Sequence, residues 1–332
     1  SEHRAVRLWP SGIAFIAAAE VDLLGADARA VVAVQADWGS GVCEICEARL
    51  LKGAALNTRN QQTIKIGERL MMCRSIALTD LELEISAVMA AGNNQPGKFQ
   101  AKVVDVRSIS HDVYRVELQL PRRRELSFHA GQYLSVNLPD ADPCYFSIAS
   151  SPSDQNIELH IQATPEWVSA QKVIDALTSG GEVTVELPHG KACLASVPTR
   201  PLLLVAAGTG FAQMKSLVDY LRETSYDQPV KLYWGVRRHE DMYLRALAQQ
   251  WQDEWPRFTF LPVVGDDEDN DWAGHHDQLV RAVLASGMDW KNVEVHASGS
   301  PTMVYTLMDA LVDAGLPEEA FFSDVLEYAP RS

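Results

Sequence analysis

The sequence predicts a multidomain protein that combines α+β and α/β architecture, and three observations support this prediction. The chain has 332 residues, of which 47% are hydrophobic, so it can form two or three domains with substantial cores. Residues 100–197 contain short runs of alternating apolar and polar residues separated by turn signals, which predicts an antiparallel barrel or sandwich. From residue 198 onward, strand and helix patterns alternate, which predicts a doubly wound parallel sheet.

The charge of the chain argues against two classes of partner. The formal net charge is −15, which disfavours binding to nucleic acid or to an anionic membrane surface. An acidic surface suits a basic partner protein, although it more often only keeps a protein in solution. The five cysteines do not form a disulfide-rich pattern, and no apolar run approaches the length of a membrane span. We therefore expect a cytoplasmic protein.

The stretch Pro201–Leu221 carries a phosphate-binding signal. Leu202–Val205 is a continuous apolar run, as expected for a buried parallel strand, and Gly208–Gly210 then turns the chain into a helical pattern. Glycines let the backbone approach a phosphate, and the free N–H groups of a helix N-terminus favour its charge. Gln213 stands where the dinucleotide-binding motif has its third glycine. Taken alone, the stretch therefore leaves open an ordinary turn of an α/β protein.

Two further loops follow predicted strands of the same sheet. Gly235 and Arg237 end the strand YWGVRR, and Arg237 with Arg238 could meet the 2′-phosphate or the pyrophosphate of a dinucleotide. Ser298–Met303 ends another strand and opens a helix. Ligands bind at the carboxyl ends of the strands in such sheets. We therefore predict that these loops form one site with Gly208–Gly210.

Changes in composition define the domain boundaries. Residues 90–100 are rich in glycine, proline and amides, which predicts a linker. In the first domain, Pro10–Gly12 predicts the turn of a β-hairpin, and the small residues 26–36 predict a helix. The predicted domains are residues 1–93, 99–197 and 198–332.

The N-terminal domain contains a cysteine pattern. Cys43 and Cys46 have C-x2-C spacing and Cys73 follows, and thiolates at this spacing can share one iron or zinc centre. Together with Gly41-Val42 and Ala48–Leu50, this pattern resembles the plant-type 2Fe–2S ferredoxin domain. The resemblance implies a β-grasp fold in which Cys43, Cys46 and Cys73 are metal ligands.

One ligand position departs from that ferredoxin pattern. The first cysteine of the family corresponds to Trp38, so the chain offers three thiolates where a cluster needs four ligands. Asp37 or Ser40 could donate an oxygen. Otherwise the domain holds no cluster, and its cysteines serve as small buried hydrophobic residues or in a zinc site that also lacks a fourth ligand. A bound 2Fe–2S cluster is therefore left open.

The central region contains the stretches HAGQYLSVNLP (129–139) and CYFSIASSP (144–152), followed by the strand IELHIQA. In this order they resemble the flavin-binding barrel of the ferredoxin–NADP reductase superfamily, especially its flavin reductase branch. The resemblance implies that Phe146 packs on the flavin and that the hydroxyl of Ser147 forms a hydrogen bond near flavin N5. The other residues that it places at the flavin are Gln132, Tyr133, Tyr145, His160 and Ile161.

Two departures concern the flavin phosphates. The arginine of the family motif corresponds to Cys144, and the family's G-x-x-S turn corresponds to Glu166–Ser169, in which only Ser169 matches. Arginine normally neutralises phosphate, whereas a glutamate would repel it. We therefore predict FAD, with FMN as the alternative, bound loosely or used as a diffusible substrate.

The C-terminal loops match the same superfamily. Its C-G-x-P-x-M loop corresponds to Ser298–Met303, with Ser298 in place of the cysteine beside the nicotinamide, and its terminal aromatic residue corresponds to Tyr328. The resemblance implies catalytic roles for Ser147, Ser298 and Tyr328. We leave His189 and His296 as structural, because hydride transfer to flavin needs no acid or base. Nicotinamide-dinucleotide contacts are predicted for Gly208, Thr209, Gly210, Arg237, Gly299, Pro301 and Met303.

These observations predict an NAD(P)H-dependent flavoprotein reductase that passes hydride from NADH or NADPH to flavin N5 and electrons onward to an oxygenase, a ferredoxin or another acceptor protein. One alternative is a flavin reductase whose ferredoxin-like domain is a cluster-free docking module. A second alternative is a degenerate binding protein without enzyme activity, because Trp38, Cys144 and Ser298 replace family residues.

Overall fold

The structure is a computed structural model that describes residues 3–9, 14–23, 33–34, 47–84, 88–89, 96–121, 128–265 and 276–331. Trp38, Cys43 and Cys46 lie outside the described residues, and of Cys73 only the backbone is described, in the 3-10 turn Met72–Arg74. Within these ranges no helix is long and apolar enough to cross a membrane.

The N-terminal part contains a mixed sheet in the order β2-β1-β9-β4-β7, in which β1 pairs with β2 antiparallel and with β9 parallel. Val6 and Leu8 alternate with exposed residues along β1 and face the core. The antiparallel pairing of β1 with β2 confirms the strands of the predicted hairpin, whereas its predicted turn Pro10–Gly12 lies outside the described residues. The ten strands are β1 (His3–Trp9), β2 (Ala14–Ala18), β3 (Ala33–Val34), β4 (Glu47–Lys52), β5 (Ala55–Asn57), β6 (Thr63–Ile64), β7 (Arg69–Met71), β8 (Ser75–Ala77), β9 (Leu81–Glu84) and β10 (Val88–Met89).

Two predictions about local structure need correction. The helix predicted for residues 26–36 is wrong at Ala33–Val34, which pair with Val88–Met89 as strands; the rest lies outside the described residues. A cross-strand partner distant in sequence overrides helix propensity there. The predicted linker 90–100 is wrong from Gly97 onward, because Gly97–Lys102 pairs with Glu182–Leu187, a strand of the following barrel.

The central part is an antiparallel six-stranded sheet in the order β14-β13-β16-β11-β12-β15. A bridge between Ile148 and Leu159 brings its two edge strands together, so the sheet is a nearly closed barrel. Leu134, Val136 and Leu159 are fully buried in its core. Its elements are β11 (Gly97–Ser108), β12 (Val113–Gln119), β13 (Tyr133–Asn137), β14 (Cys144–Ser147), β15 (Ile157–Gln162), α1 (Val168–Thr178) and β16 (Glu182–His189).

The C-terminal part is a parallel sheet in the order β19-β18-β17-β20-β21. Alternate residues of β17 face opposite sides: Leu202 and Leu204 pack towards α2 and α3, whereas Leu203 and Val205 pack towards α4 and α5. The predicted doubly wound sheet is therefore confirmed. Its elements are β17 (Leu202–Ala207), α2 (Phe211–Glu223), β18 (Val230–Val236), α3 (Arg245–Glu254), β19 (Phe258–Val264), α4 (Asp277–Leu284), β20 (Glu294–Ser298), α5 (Pro301–Asp313), β21 (Phe321–Phe322) and α6 (Val325–Tyr328).

Candidate active site

The strand order of the parallel sheet creates a crevice between β17 and β20. The chain leaves β17 towards one side and enters β20 from the other, and ligands bind where the strand order reverses in this way. Gly208–Gly210 forms a 3-10 turn at the end of β17 and leads directly into α2. The indole N–H of Trp234 donates to the carbonyl of Gly208 at 2.9 Å and holds this turn in place.

Two loops meet closely at the crevice. A Cβ atom on Gly210 would lie 2.4 Å from the carbonyl oxygen of Ser298, so only glycine allows the two loops this approach. Gly208 has a φ of +57° in open space, a conformation that glycine adopts at little cost. Ser300 caps the next helix by accepting from the N–H of Met303 at 3.2 Å. Two helix N-termini therefore begin at this crevice, and each favours a phosphate.

A cavity of 640 Å³ extends from this crevice. We call it the nucleotide pocket. Arg237 and Arg238 are exposed at its rim and supply positive charge. Asp241 accepts from the backbone N–H of Arg238 at 3.1 Å and fixes the following turn. Its lining also includes Phe146, Ser147, His160, Gly208, Thr209, Gly210, Ser298, Gly299 and Ser300.

Three residues at this pocket have no local sequence signal. His111 and Asp112 come from the β11–β12 turn of the barrel, and Asp241 comes from the parallel-sheet domain. His111 Nε2 lies 3.4 Å from a carboxylate oxygen of Asp112 and 3.3 Å from one of Asp241. Their contact exists only because the two domains pack together, so no local pattern in the sequence predicts it.

A second cavity, of 520 Å³, lies on the barrel side. We call it the flavin pocket, after the ligand that the sequence resemblance implies for the barrel. Tyr133 stacks on His189 with ring centroids 5.4 Å apart, and Tyr145 meets both rings edge-on at 5.8 Å. Tyr145 and Tyr328 are each 59% exposed and line this cavity. His189 thus lines the pocket, in addition to the structural role that its sequence position predicts.

The two pockets share one wall. Both are lined by Tyr145, Phe146 and Ser147 of the barrel edge and by Ser298 and Gly299 of the parallel sheet. A dinucleotide in the first cavity and a ring system in the second would therefore meet at Ser147 and Ser298. This is the arrangement that direct transfer between two bound cofactors requires.

The flavin pocket fits a flat aromatic ring that carries hydrogen-bonding atoms. Its walls include the aromatic side chains of Tyr133, Tyr145 and Tyr328. A ligand that covers these rings buries apolar surface, which favours its binding. The Oδ1 atom of Asp324 is buried and has no hydrogen-bond partner among the described residues, although Asp324 lines the cavity. Burial and the neighbouring charge of Glu327 raise the pKa of Asp324 to about 8. At neutral pH this carboxyl group therefore carries a proton that it can donate.

A buried polar network joins the two domains beside the nucleotide pocket. His160 Nε2 lies 2.9 Å from Glu158, and His160 Nδ1 lies 2.9 Å from the hydroxyl of Tyr243. Burial alone would raise the pKa of Glu158, but its hydrogen bond with His160 and the charges of Lys215 and Arg115 lower it to about 2. Glu158 is therefore ionised and accepts from Nε2–H, which leaves Nδ1 to accept from Tyr243.

The remaining predicted site residues have different positions. Ile161 and Met303 are fully buried in the cores of their domains. The side chain of Gln132 accepts from the N–H of His129 and donates to the carbonyl of Gly190. It therefore holds the backbone next to His189, which lines the flavin pocket. His296, for which a structural role is predicted, stacks on Phe322 of β21 at 5.0 Å. Ser169 and Pro301 lie at the N-termini of α1 and α5, outside the lining of either pocket.

Comparison with known proteins agrees with this geometry. A model of the oxidoreductase FAD-binding domain matches residues 100–193, and a model of the oxidoreductase NAD-binding domain matches residues 204–308. Reductase component 1 of terephthalate 1,2-dioxygenase from Comamonas is 29% identical over 333 residues, covering 98% of both chains. The NAD(P)H-flavin reductase of Aliivibrio fischeri is 32% identical over 204 residues, covering 60% of this chain and 85% of that protein.

Solved structures share the fold over nearly the whole chain. A cytochrome P450 reductase of Amycolatopsis has a TM-score of 0.61 at 22% identity and covers 97% of this chain and 98% of its own. A ferredoxin reductase of carbazole 1,9a-dioxygenase has a TM-score of 0.58 at 22% identity, with the same coverage. This similarity confirms the predicted antiparallel barrel and parallel-sheet domain.

The two adjoining pockets and the two matched domains define an NAD(P)H-dependent flavoprotein oxidoreductase. The chain belongs to the ferredoxin–NADP reductase family, as the sequence resemblance predicted. FAD and NAD(P)H are its cofactors. The degenerate, non-enzymatic alternative is therefore set aside.

Proposed function

We propose that this chain is the reductase component of an oxygenase-type redox system, which takes hydride from NAD(P)H and delivers electrons to a partner protein. The observation that carries this proposal is the wall of Tyr145–Ser147 and Ser298–Gly299 shared by the two pockets. The terephthalate dioxygenase reductase components, which align over 98% of this chain, support the choice of partner. The negative net charge suits a basic partner in the cytoplasm.

The proposed roles of the residues follow from their positions. Gly208–Gly210 and Arg237 would hold the dinucleotide phosphates, and Ser298 would lie beside the nicotinamide. Tyr133 and Tyr145 would contact the flavin ring, and Ser147 would donate a hydrogen bond near its reactive edge. When bound, the flavin supplies acceptance of hydride at N5 and release of electrons one or two at a time. Tyr328 would cover the ring and exclude water.

A flavin reductase that releases its product is the second candidate. Cys144 supports it, because the thiol at this position is partly buried, burial raises its pKa, and a neutral thiol gives no charge to a flavin phosphate. Glu166, at the first position of the family's G-x-x-S turn, is a negative charge that would repel a phosphate. The similarity to NAD(P)H-flavin reductases supports the same alternative.

Iron and acid-labile sulfide analysis of anaerobically purified protein, with EPR after dithionite reduction, separates the two candidates. Two irons per chain and a rhombic signal are expected for a component that passes single electrons to a partner. Absence of both after attempted reconstitution would contradict delivery through a cluster and favour the flavin reductase. In either case, FAD-loaded protein should oxidise NADH or NADPH; absence of oxidation would overturn the whole proposal.

A further inference from the structure

Gln213 replaces the third glycine of the dinucleotide-binding motif, and the structure gives it a contact of its own. It lies in the first turn of α2, three residues after Gly210, and its side chain is buried. Its Nε2 donates to the carbonyl of Gly131 at 2.7 Å and to Asp324 Oδ2 at 3.1 Å, and it lies 3.4 Å from the carbonyl of Ala192. One amide therefore joins the dinucleotide-binding helix, two barrel loops and the C-terminal segment.

The contact with Gln213 determines which oxygen of Asp324 is left for a ligand. Oδ2 is occupied by the amide, whereas Oδ1 is buried, without a hydrogen-bond partner among the described residues, in a side chain that lines the flavin pocket. A buried polar atom without a partner is costly, so a ligand atom that pairs with Oδ1 removes this cost. Gly190 leaves room for this arrangement, since a Cβ there would lie 3.0 Å from Oδ1.

The groups that face Asp324 come from two elements. Glu327 and Tyr328 lie on its own C-terminal segment, and Tyr133 and Cys193 face it from the barrel. Burial and the charge of Glu327 raise the pKa of Asp324, and the hydrogen bond from Gln213 lowers it. Because Oδ2 accepts from the amide, the proton of the neutral carboxyl group lies on Oδ1.

We propose that Gln213 is a positioning residue that ties the dinucleotide-binding helix to Asp324 and thereby holds this carboxyl group towards the flavin ring. The inference rests on the proposed role of the second cavity as the flavin site. Since α2 begins at the glycine turn of the nucleotide pocket, Gln213 also gives that turn a direct connection to the flavin pocket, separate from the shared wall.

The test compares Gln213→Met with Ser216→Ala. Methionine keeps the length of the side chain but donates no hydrogen bond. Ser216 is equally buried on the same helix and donates to the carbonyl of Ser150 at 2.8 Å. Its alanine variant therefore loses a bond between the same two domains without touching Asp324. Asp324→Asn keeps a donor but cannot titrate.

The dissociation constant of FAD is measured by fluorescence titration at a series of pH values around 8. Wild-type affinity is expected to fall as the pH rises through about 8, since deprotonation of Asp324 removes the donor. Gln213→Met should weaken FAD binding at neutral pH by about three- to tenfold. The same substitution should also shift the fall in FAD affinity to higher pH, because it removes a hydrogen bond that lowers the pKa of Asp324. Asp324→Asn should abolish the fall.

The control variant Ser216→Ala shows whether a change in the pH midpoint of FAD binding is specific to Gln213. Ser216→Ala is expected to keep the wild-type midpoint, because its lost bond has no part in the titration. If Gln213→Met keeps that midpoint too, or if both variants move it equally, the positioning role is overturned. A wild-type protein that binds no flavin would instead overturn the proposed function, so the two failures are distinguishable.

Discussion

The nucleotide pocket and the flavin pocket are built from the chain in different ways. The nucleotide pocket is formed largely by loops that each directly follow a strand of one sheet, such as Gly208–Gly210 and Ser298–Ser300. The flavin pocket takes residues from two barrel strands, from the end of β16 and from the C-terminal segment 323–328. Short sequence segments can therefore predict a site made of strand-end loops. A site made of distant segments cannot be predicted in this way, because it depends on how those segments pair.

The largest expected effect is on kcat/KM and comes from separating the two loops of the nucleotide pocket that meet at Gly210. In Gly210→Ala the new Cβ would lie 2.4 Å from the carbonyl oxygen of Ser298, so the two loops must separate. A displacement of about 1 Å at a reaction site costs about 100-fold, so kcat/KM for NAD(P)H should fall by about that factor. Steady-state kinetics at saturating FAD measures it.

Gly287→Ala is the matched control for this substitution. Gly287 has a φ of +67° and lies outside the lining of both pockets, and a Cβ added there would meet no described atom within 4 Å, so alanine adds only backbone strain. This strain lowers the free energy of unfolding by about 1 kcal/mol and should leave kcat/KM at the wild-type value. Equal losses in the two variants would show that the approach of the loops has no special role.

A second prediction concerns the network that joins the two regions. The folded-state pKa of Glu158 is about 2, below its ordinary value of 4.5, so its stabilising contribution is complete above pH 4.5 and is lost as the pH falls towards 2. The loss by pH 3 is about 2 kcal/mol. Thermal unfolding of the wild type should therefore show a steeper fall in Tm between pH 5 and 3 than that of Glu158→Gln. Parallel curves for the two proteins would contradict the assignment.

The smallest expected effect is on the affinity for flavin nucleotides, which depends on the barrel. Cys144→Arg places a cation at the start of β14, where the resembled family has its arginine, and should tighten binding of FAD and FMN by about tenfold, the value of one charge-assisted hydrogen bond. Riboflavin, which has no phosphate, provides the control and should bind as it does to the wild type. Fluorescence titration measures all three ligands. Equal tightening for riboflavin would locate the effect at the ring instead of at a phosphate.

The sequence predicted the strand-end loops that line the nucleotide pocket, but not the residues that reach it from the barrel. Leu202–Val205 is apolar on both faces because both faces of β17 are covered, and the change to helical spacing after Gly210 marks α2. The positions of Gly208, Gly210 and Ser298 at one crevice then follow from the general rule for doubly wound sheets. The role of Gln213 could not follow in this way, since its partner Asp324 lies 111 residues away.

The flavin side was predicted only in part. Tyr133 and Ser147 were found because they lie in recognisable strand stretches, and they pair directly in the barrel register. His189 and Asp324 were missed, since each reaches the pocket only after long-range pairing has brought its segment there. A single acidic residue in the otherwise apolar run AFFSDVL was a signal that could have identified Asp324.

The edge of the barrel at β14 also affects how the protein behaves without its cofactor. Strand β14 lies at one end of the described sheet order, where the bridge between Ile148 and Leu159 nearly closes the barrel. Tyr145 on this edge and Tyr328 beside it offer apolar surface at the same place. A flavin lying there would cover both, so flavin-depleted protein is expected to self-associate, and sedimentation velocity should return to a smaller species when FAD is added.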